Sequence, residues 1–191
     1  QAKVSGKDIK RTLIGPNDNL SELGKASLAQ AVAMRSSGAS VQEALEATGW
    51  WEFIPGEWTY ELDDSLASID HKSYVDFLKY KIGDIFQRTV KQFYKHPTLL
   101  KAYPQLSDYT VVFYKDKQAD SYGEGFGSYN PGTKEITIHY SDPLQIKPVL
   151  VHELQHAIQD IEQTVIGGSP EGDLIAQVYT AMAVQRLSAI A

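Results

Sequence analysis

The sequence contains no cysteine, which excludes disulfide scaffolds, thiol nucleophiles and zinc sites with cysteine ligands. No stretch approaches the roughly 18 consecutive apolar residues that a membrane-spanning helix needs, and the N-terminus lacks the apolar core of a signal peptide. Runs of Lys or Arg are also absent, and 18 basic against 24 acidic side chains give a formal net charge of −6. Clustered positive charge is what nucleic acids and anionic membranes require. We therefore expect a soluble protein without a clear nucleic-acid site.

The residues that are present suffice for an independently folded protein. The chain has 191 residues, of which 42% are hydrophobic, and it contains 11 Tyr, 6 Phe and 3 Trp. This length and composition predict one compact domain, or one domain with a small subdomain. The first residue is Gln1, and the last, Ala191, ends an apolar, helix-like run. We therefore expect the sequence to be a piece of a longer chain.

A small N-terminal subdomain is predicted over residues 1–65. Apolar spacing predicts a helix over residues 20–36 that ends at the breaker Ser36-Ser37-Gly38. The sequence Ser40-Val-Gln-Glu43 is a capping box that opens a second, short helix. Gly49 is expected to end this helix, because glycine is the usual residue at a helix C-terminus.

Two β-hairpins are predicted from strand-like runs joined by turn residues. The first joins residues 50–53 and 58–62, both rich in aromatic residues, and belongs to the N-terminal subdomain. We expect its Trp and Tyr side chains to pack in a core rather than to form a ligand-stacking surface. The second joins residues 125–129 and 135–140 through Asn130-Pro131-Gly132.

The rest of the chain, residues 66–191, is predicted to form a second domain. Apolar residues recur at three- and four-residue steps over residues 71–95 and predict one long amphipathic helix, which Pro97 ends. A strand over residues 109–114 precedes the second hairpin. Helices and antiparallel strands that follow one another in this way predict an α+β fold.

One motif carries chemistry. Residues 148–164 predict a helix that contains His152-Glu153-Leu-Gln-His156, an H-E-x-x-H sequence. At about 100° per residue, the two histidines lie about 40° apart on one side of the helix, and the apolar residues lie opposite them. Two histidines one turn apart can each place a ring nitrogen about 2.0–2.1 Å from one zinc ion, and a catalytic site adds a third protein ligand and a water. The spacing therefore predicts a zinc site.

Glu153 lies beside the histidine pair in this helix and is the candidate catalytic acid/base. In this interpretation the ion lowers the pKa of a bound water and polarises a peptide carbonyl, and Glu153 carries the proton to the leaving amine. The alternative is an ordinary helix surface, because a motif with three fixed positions also arises by chance. The amphipathic phase of the helix and the strands that precede it favour the metal site.

A third ligand is not evident from the motif. Glu162 lies on the same helix but points away from the pair. Ser169-Pro170 predicts the start of a last helix over residues 171–189, with Glu171 and Asp173 in its first turn. These two carboxylates are metal-ligand candidates, although complementing the helix dipole is their simpler role.

Four further residues of the chain have side chains that could bind a metal or orient one of its ligands. Asp160, one turn beyond His156, is predicted to accept a hydrogen bond from its imidazole and so to orient it. His139, at the end of a hairpin strand, is more simply a surface or core residue than a ligand. His71 and His96 have no companions in the sequence and are given no role.

Four segments of the chain resemble a set of domains found in large polyvalent proteins of phages and mobile elements. They are Thr48–Ser65, His96–Leu106, Val151–Gln159 and Gly167–Pro170, and the resemblance covers about residues 38–172. An H-E-x-x-H-A-I-Q sequence followed by a Gly-Gly turn is far rarer than H-E-x-x-H alone. In the set that the chain resembles, the last module is a zincin-like metallopeptidase.

The resemblance implies a zincin-like domain, with zinc held by His152 and His156 and with Glu153 as the catalytic acid/base. It also implies a departure from the pattern, because relatives carry an acidic motif beyond the Gly-Gly turn and residues 178–186 contain no acid. Three alternatives follow: the third ligand lies beyond Ala191 in a longer chain, Glu171 or Asp173 replaces it, or the site is degenerate.

We therefore expect a phage-encoded metalloprotease, a hydrolase that uses zinc to cleave a protein or peptide substrate in the virion interior or the host cytoplasm. The alternative is a structural or ejected virion-internal protein that retains a degenerate zincin scaffold for packing and partner binding. Its partners would be other segments of a longer parent chain or other virion proteins.

Overall fold

The computed structural model describes residues 12–62, 67–121 and 125–162. These residues have a mixed α+β organisation, as predicted, and they fall into two compact units, residues 12–61 and residues 62–162. The predicted division into residues 1–65 and 66–191 includes residues outside the described ranges and stays a prediction. None of the helices in the described ranges has the length and apolar character that crossing a bilayer requires.

The first unit consists of two helices and a three-stranded antiparallel sheet. The helices are α1 (Glu22–Ser36) and α2 (Val41–Thr48). The strands are β1 (Leu13–Ile14), β2 (Trp50–Ile54) and β3 (Glu57–Glu61), in the order β1-β3-β2. Both predicted helices and the first predicted hairpin are therefore confirmed.

Local sequence signals explain this unit. The Ser40 hydroxyl accepts a hydrogen bond from the Glu43 amide at 3.1 Å, and the Glu43 carboxylate accepts one from the Ser40 amide at 2.7 Å. Gly49 ends α2 with a φ of +79°, and a Cβ there would lie 2.5 Å from the Tyr60 ring. Trp50 is buried, and its indole N–H donates to Ser27 at 3.0 Å. Trp50 and Trp51 of the hairpin therefore pack in a core, as expected, whereas Trp58 and Tyr60 are half-buried.

The second unit is built around a four-stranded sheet, in which the strand order is β5 (Ile85–Thr89), β7 (Thr110–Lys115), β9 (Glu135–Tyr140), β8 (Phe126–Asn130). Strands β7 and β9 are parallel, and the other pairs are antiparallel. Among the described residues of this unit, 3-10 helices lie at Pro104–Asp108 and Pro143–Gln145. Its helices and strands are β4 (Ser68–Ile69), α3 (His71–Lys79), β5 (Ile85–Thr89), α4 (Val90–Phe93), β6 (Tyr94–Lys95), α5 (Pro97–Ala102), β7 (Thr110–Lys115), α6 (Gln118–Ser121), β8 (Phe126–Asn130), β9 (Glu135–Tyr140) and α7 (Ile146–Ile161).

The prediction of one long helix over residues 71–95 is wrong. Helix α3 ends at Lys79, and the chain then turns and continues as strand β5. Gly83 adopts a φ of +97° in this turn, and the Asp84 carboxylate accepts a hydrogen bond from the Lys81 amide at 2.7 Å. The apolar residues of both segments still share one core, since the Phe77 and Phe86 rings lie 5.4 Å apart. A three- and four-residue apolar spacing therefore did not distinguish a helix from a helix followed by a strand.

The predicted strand before the second hairpin, and the hairpin itself, are confirmed as β7, β8 and β9. Alternate residues of β7 and β9 are fully buried, which places one face of the sheet in the core; they are Val111, Phe113, Ile136, Ile138 and Tyr140. Helix α7 contacts β8 and β9. The sheet and its core thus support the helix that contains the H-E-x-x-H sequence.

Candidate metal centre

Helix α7 has one apolar side and one side with the two histidines, and both lie where the periodicity of the sequence predicted them. Its apolar side is fully buried and contains Leu150, Leu154 and Ile158. His152 is exposed and His156 is half-buried. An amphipathic helix aligns in this way because burying the apolar stripe leaves the opposite side accessible. The two histidines are therefore accessible while their helix is anchored in the core.

The two imidazoles face each other through their Nε2 atoms. These atoms lie 3.2 Å apart, and the ring planes are almost perpendicular, at 86°. Two nitrogens that each lie about 2.0–2.1 Å from one tetrahedral zinc ion are separated by about 3.3 Å. The same separation suits an N–H···N hydrogen bond between the two rings. The separation of the two Nε2 atoms therefore matches that of two ligands of one zinc ion.

The orientation of His156 involves Gln159. The Nδ1 atom of His156 lies 3.2 Å from the Oε1 atom of Gln159, one helical turn further along α7. The prediction that Asp160 accepts this hydrogen bond is wrong. Asp160 accepts hydrogen bonds from the Tyr129 hydroxyl, at 2.6 Å, and from the Lys134 ammonium. The hairpin β8–β9 brings these donors to the carboxylate from a distant part of the chain.

The cluster of Tyr129, Lys134 and Asp160 links the hairpin to α7. Burial would raise the pKa of Asp160, but the hydrogen bonds from Lys134 and Tyr129 outweigh it, so this pKa lies below the usual aspartate value. Burial, together with the hydrogen bond to Asp160, raises the pKa of Tyr129. Both shifts favour a neutral phenol that donates to an ionised carboxylate. The cluster therefore attaches the C-terminal half of α7 to the hairpin near neutral pH.

Glu153 is buried between α7 and strand β8, with only 4% of its surface exposed. A Cβ added to Gly127 would lie 3.2 Å from the Cγ atom of Glu153 and 2.7 Å from the Cγ1 atom of Val149. The helix can therefore approach the strand this closely because position 127 has no side chain. Burial raises the pKa of Glu153 to about 7. A carboxyl group with such a pKa both accepts and releases protons near neutral pH, as a general acid/base must.

The described ranges contain no group of three or more His, Asp or Glu side chains that could hold a metal ion. Both predicted third ligands, Glu171 and Asp173, lie outside the described residues. Glu162 accepts a hydrogen bond from the Tyr103 hydroxyl. Of the predicted ligands, the described residues thus bring together His152 and His156.

Two other histidines of this unit, His139 and His96, have structural contacts. His139 stacks between the Tyr114 and Phe126 rings, with centroids at 4.6 and 4.1 Å, and its Nδ1 atom lies 3.2 Å from the Asp116 carboxylate. His96 is buried and caps α5 by accepting a hydrogen bond from the Leu99 amide.

Sequence reasoning gave no role to two residues of the site. Gln159 lies within about 60° of His156, on the side of the helix where the projection places the histidine pair, and this position makes it a candidate acceptor for the imidazole. Gly127 lies 19 residues before Ile146, the first residue of α7, and its only signal is a glycine inside a strand pattern, which suggests a close backbone approach.

Residues 11–70 match the family model of large polyvalent protein associated domain 23. The match includes Thr48–Ser65, the first of the four segments that carry the resemblance, and it ends before the other three. It supports an association with large polyvalent proteins and does not extend to α7. No curated protein and no solved structure gives a significant match to the chain.

Proposed function

We propose that the chain is a zincin-like, metal-dependent peptidase whose active site lies on α7. His152 and His156 hold a zinc ion, and Glu153 is the general acid/base. The observation that supports this proposal best is the pair of Nε2 atoms 3.2 Å apart on an anchored helix, because this separation matches two ligands of one tetrahedral ion. When bound, zinc polarises the scissile carbonyl and lowers the pKa of water.

The residues of the proposed active site have separate roles in this mechanism. The two histidines would hold the ion. Glu153 takes a proton from the attacking water and returns it to the leaving amine; in the metal-free chain, burial raises its pKa to about 7. The third ligand is Glu171, Asp173 or a residue of a longer chain.

Strand β8 is the proposed binding edge for the substrate. Within the described ranges β8 pairs on one side only, with β9. An extended peptide can add to such an edge through backbone hydrogen bonds. Because α7 packs directly on β8 at Gly127, a peptide on this edge would pass beside the helix that contains Glu153. This arrangement favours a protein or peptide substrate in an extended conformation.

The match of residues 11–70 gives the proposal its context. We infer a phage-encoded polyvalent protein in which the peptidase acts in the virion interior or the host cytoplasm. Other segments of a longer polyvalent chain and other virion proteins are the proposed partners, and some of these are proposed substrates.

The test is hydrolysis by the purified chain with one equivalent of zinc, measured by mass spectrometry on a mixed peptide library and on the chain itself. Glu153→Gln should reduce cleavage at least about 100-fold, since a general acid/base contributes roughly that factor or more. Glu162→Gln, a change of the same kind on the same helix, should keep the activity. Zinc content and thermal unfolding should be equal in both variants.

Cleavage by Glu153→Gln at the rate of the unchanged chain would contradict the peptidase mechanism. Full biological function of that variant in its phage would favour the alternative, a structural or ejected virion protein that retains a degenerate zincin scaffold.

A further inference from the structure

Gln159 lies on the same side of α7 as the histidine pair. Its Oε1 atom lies 3.2 Å from the Nδ1 atom of His156. An amide oxygen only accepts hydrogen bonds, so in this contact the Nδ1 atom of His156 must be the donor. A neutral imidazole has one N–H group and one unprotonated nitrogen. If Nδ1 has the proton, then Nε2 has the lone pair.

The atom that this contact leaves unprotonated is the one that faces His152. The Nε2 atom of His156 lies 3.2 Å from the Nε2 atom of His152. We propose that Gln159 is a positioning residue, which holds His156 as the Nδ1–H tautomer and directs its Nε2 lone pair toward His152. For zinc binding this proposal rests on the proposed function, because a histidine binds zinc through an unprotonated ring nitrogen.

The chemistry of the neighbouring side chains supports this assignment. A histidine that binds a metal usually donates its other N–H to a carboxylate, a carbonyl or a water. Asp160 is one position further along, but its carboxylate accepts from Tyr129 and Lys134. Gln159 contributes a neutral acceptor that fixes the tautomer without adding charge beside the pair.

The experiment uses the full chain and three variants. Gln159→Leu removes the side-chain oxygen that accepts from His156 and keeps a similar size. Gln159→Glu keeps an acceptor oxygen at this position. Asp160→Asn, at the adjacent position, is the control. The tautomer of His156 is measured in the zinc-free proteins by long-range proton–nitrogen NMR, with its signals assigned by their loss in His156→Ala. Zinc affinity is measured by titration, and circular dichroism confirms that each variant is folded.

We expect the Nδ1–H tautomer in the unchanged chain, in Gln159→Glu and in Asp160→Asn, and an increased share of the Nε2–H tautomer in Gln159→Leu. Zinc affinity should fall about 10- to 100-fold in Gln159→Leu. In Gln159→Glu it should stay close to that of the unchanged chain. An unchanged tautomer in Gln159→Leu, or an equal change in Asp160→Asn, would overturn the proposal. If the unchanged chain shows the expected tautomer but binds no zinc, the proposed function fails and the role of Gln159 at His156 stands.

Discussion

The four-stranded sheet and helix α7 hold their histidines in different ways. On the sheet, His139 is stacked between two aromatic rings and its Nδ1 atom contacts Asp116. On the helix, His152 and His156 turn their Nε2 atoms toward each other at 3.2 Å. The first arrangement stabilises packing, and the second leaves two ring nitrogens next to each other on the accessible side of a helix. The feature that supports the proposed metal site is therefore a pair of histidines one turn apart on an anchored helix. A single histidine packed on the sheet does not support one.

The largest effect on stability is expected where α7 meets β8. In Gly127→Ala the new Cβ would lie 2.7 Å from the Thr137 carbonyl oxygen and 2.7 Å from the Val149 Cγ1 atom. Such overpacking costs about 1–3 kcal/mol, and we expect about 2 kcal/mol in the free energy of unfolding. Urea unfolding measures this loss in the free energy of unfolding. Ser128→Ala, at an exposed position of the same strand, is the control and should change stability by less than about 0.5 kcal/mol. Equal stability of both variants would show that the close contact is relieved without cost.

A smaller effect separates the two histidine arrangements directly. His139→Ala removes two stacked ring contacts and the contact with Asp116, so we expect a loss of about 1–2 kcal/mol in the free energy of unfolding. Zinc affinity should stay as it is. His152→Ala should show the opposite result, with stability unchanged within about 0.5 kcal/mol and zinc affinity strongly reduced. Urea unfolding and zinc titration of both variants check this. A fall of zinc affinity in His139→Ala would contradict the distinction between the two regions.

The smallest effect is a pH dependence at Asp160. Hydrogen bonds from Lys134 and Tyr129 lower the pKa of this carboxyl in the folded chain, against the opposite effect of burial. A lowered folded-state pKa stabilises the protein above the unfolded value, and this stability is lost as the pH falls below about 4, through the folded pKa. Thermal unfolding between pH 7 and pH 2 should therefore show a weaker acid dependence in Asp160→Asn than in the unchanged chain. Parallel pH profiles of the two proteins would argue against the cluster as a stabilising contact.

Local signals predicted the parts of the fold that depend on a few neighbouring residues. The capping box of Ser40 and Glu43 starts α2 through contacts that span only three residues. Helix α7 was predicted in the correct phase, because burying Leu154 and exposing His152 are two consequences of one periodicity. The candidate ligands and the candidate acid/base were accessible to sequence reasoning for that reason.

Contacts between distant segments were not predictable in the same way. Helix geometry gave Asp160 a position one turn beyond His156, but its carboxylate is held by Tyr129 and Lys134, which the hairpin brings to it. The helix predicted over residues 71–95 failed because its apolar residues also suit a strand after a turn. Gly83, with its φ of +97°, marks that turn, and a glycine inside a helical pattern was the available signal.

The central claim is that His152 and His156 share one zinc ion, and elemental analysis of the purified full chain tests it most directly. Metal content per chain is measured for the unchanged protein, for the double variant His152→Ala, His156→Ala, and for His139→Ala as the matched control. We predict about one zinc per chain in the unchanged protein and in His139→Ala, and none in the double variant. A folded, zinc-free unchanged chain after exposure to excess zinc, or a double variant that retains its zinc, would contradict the claim.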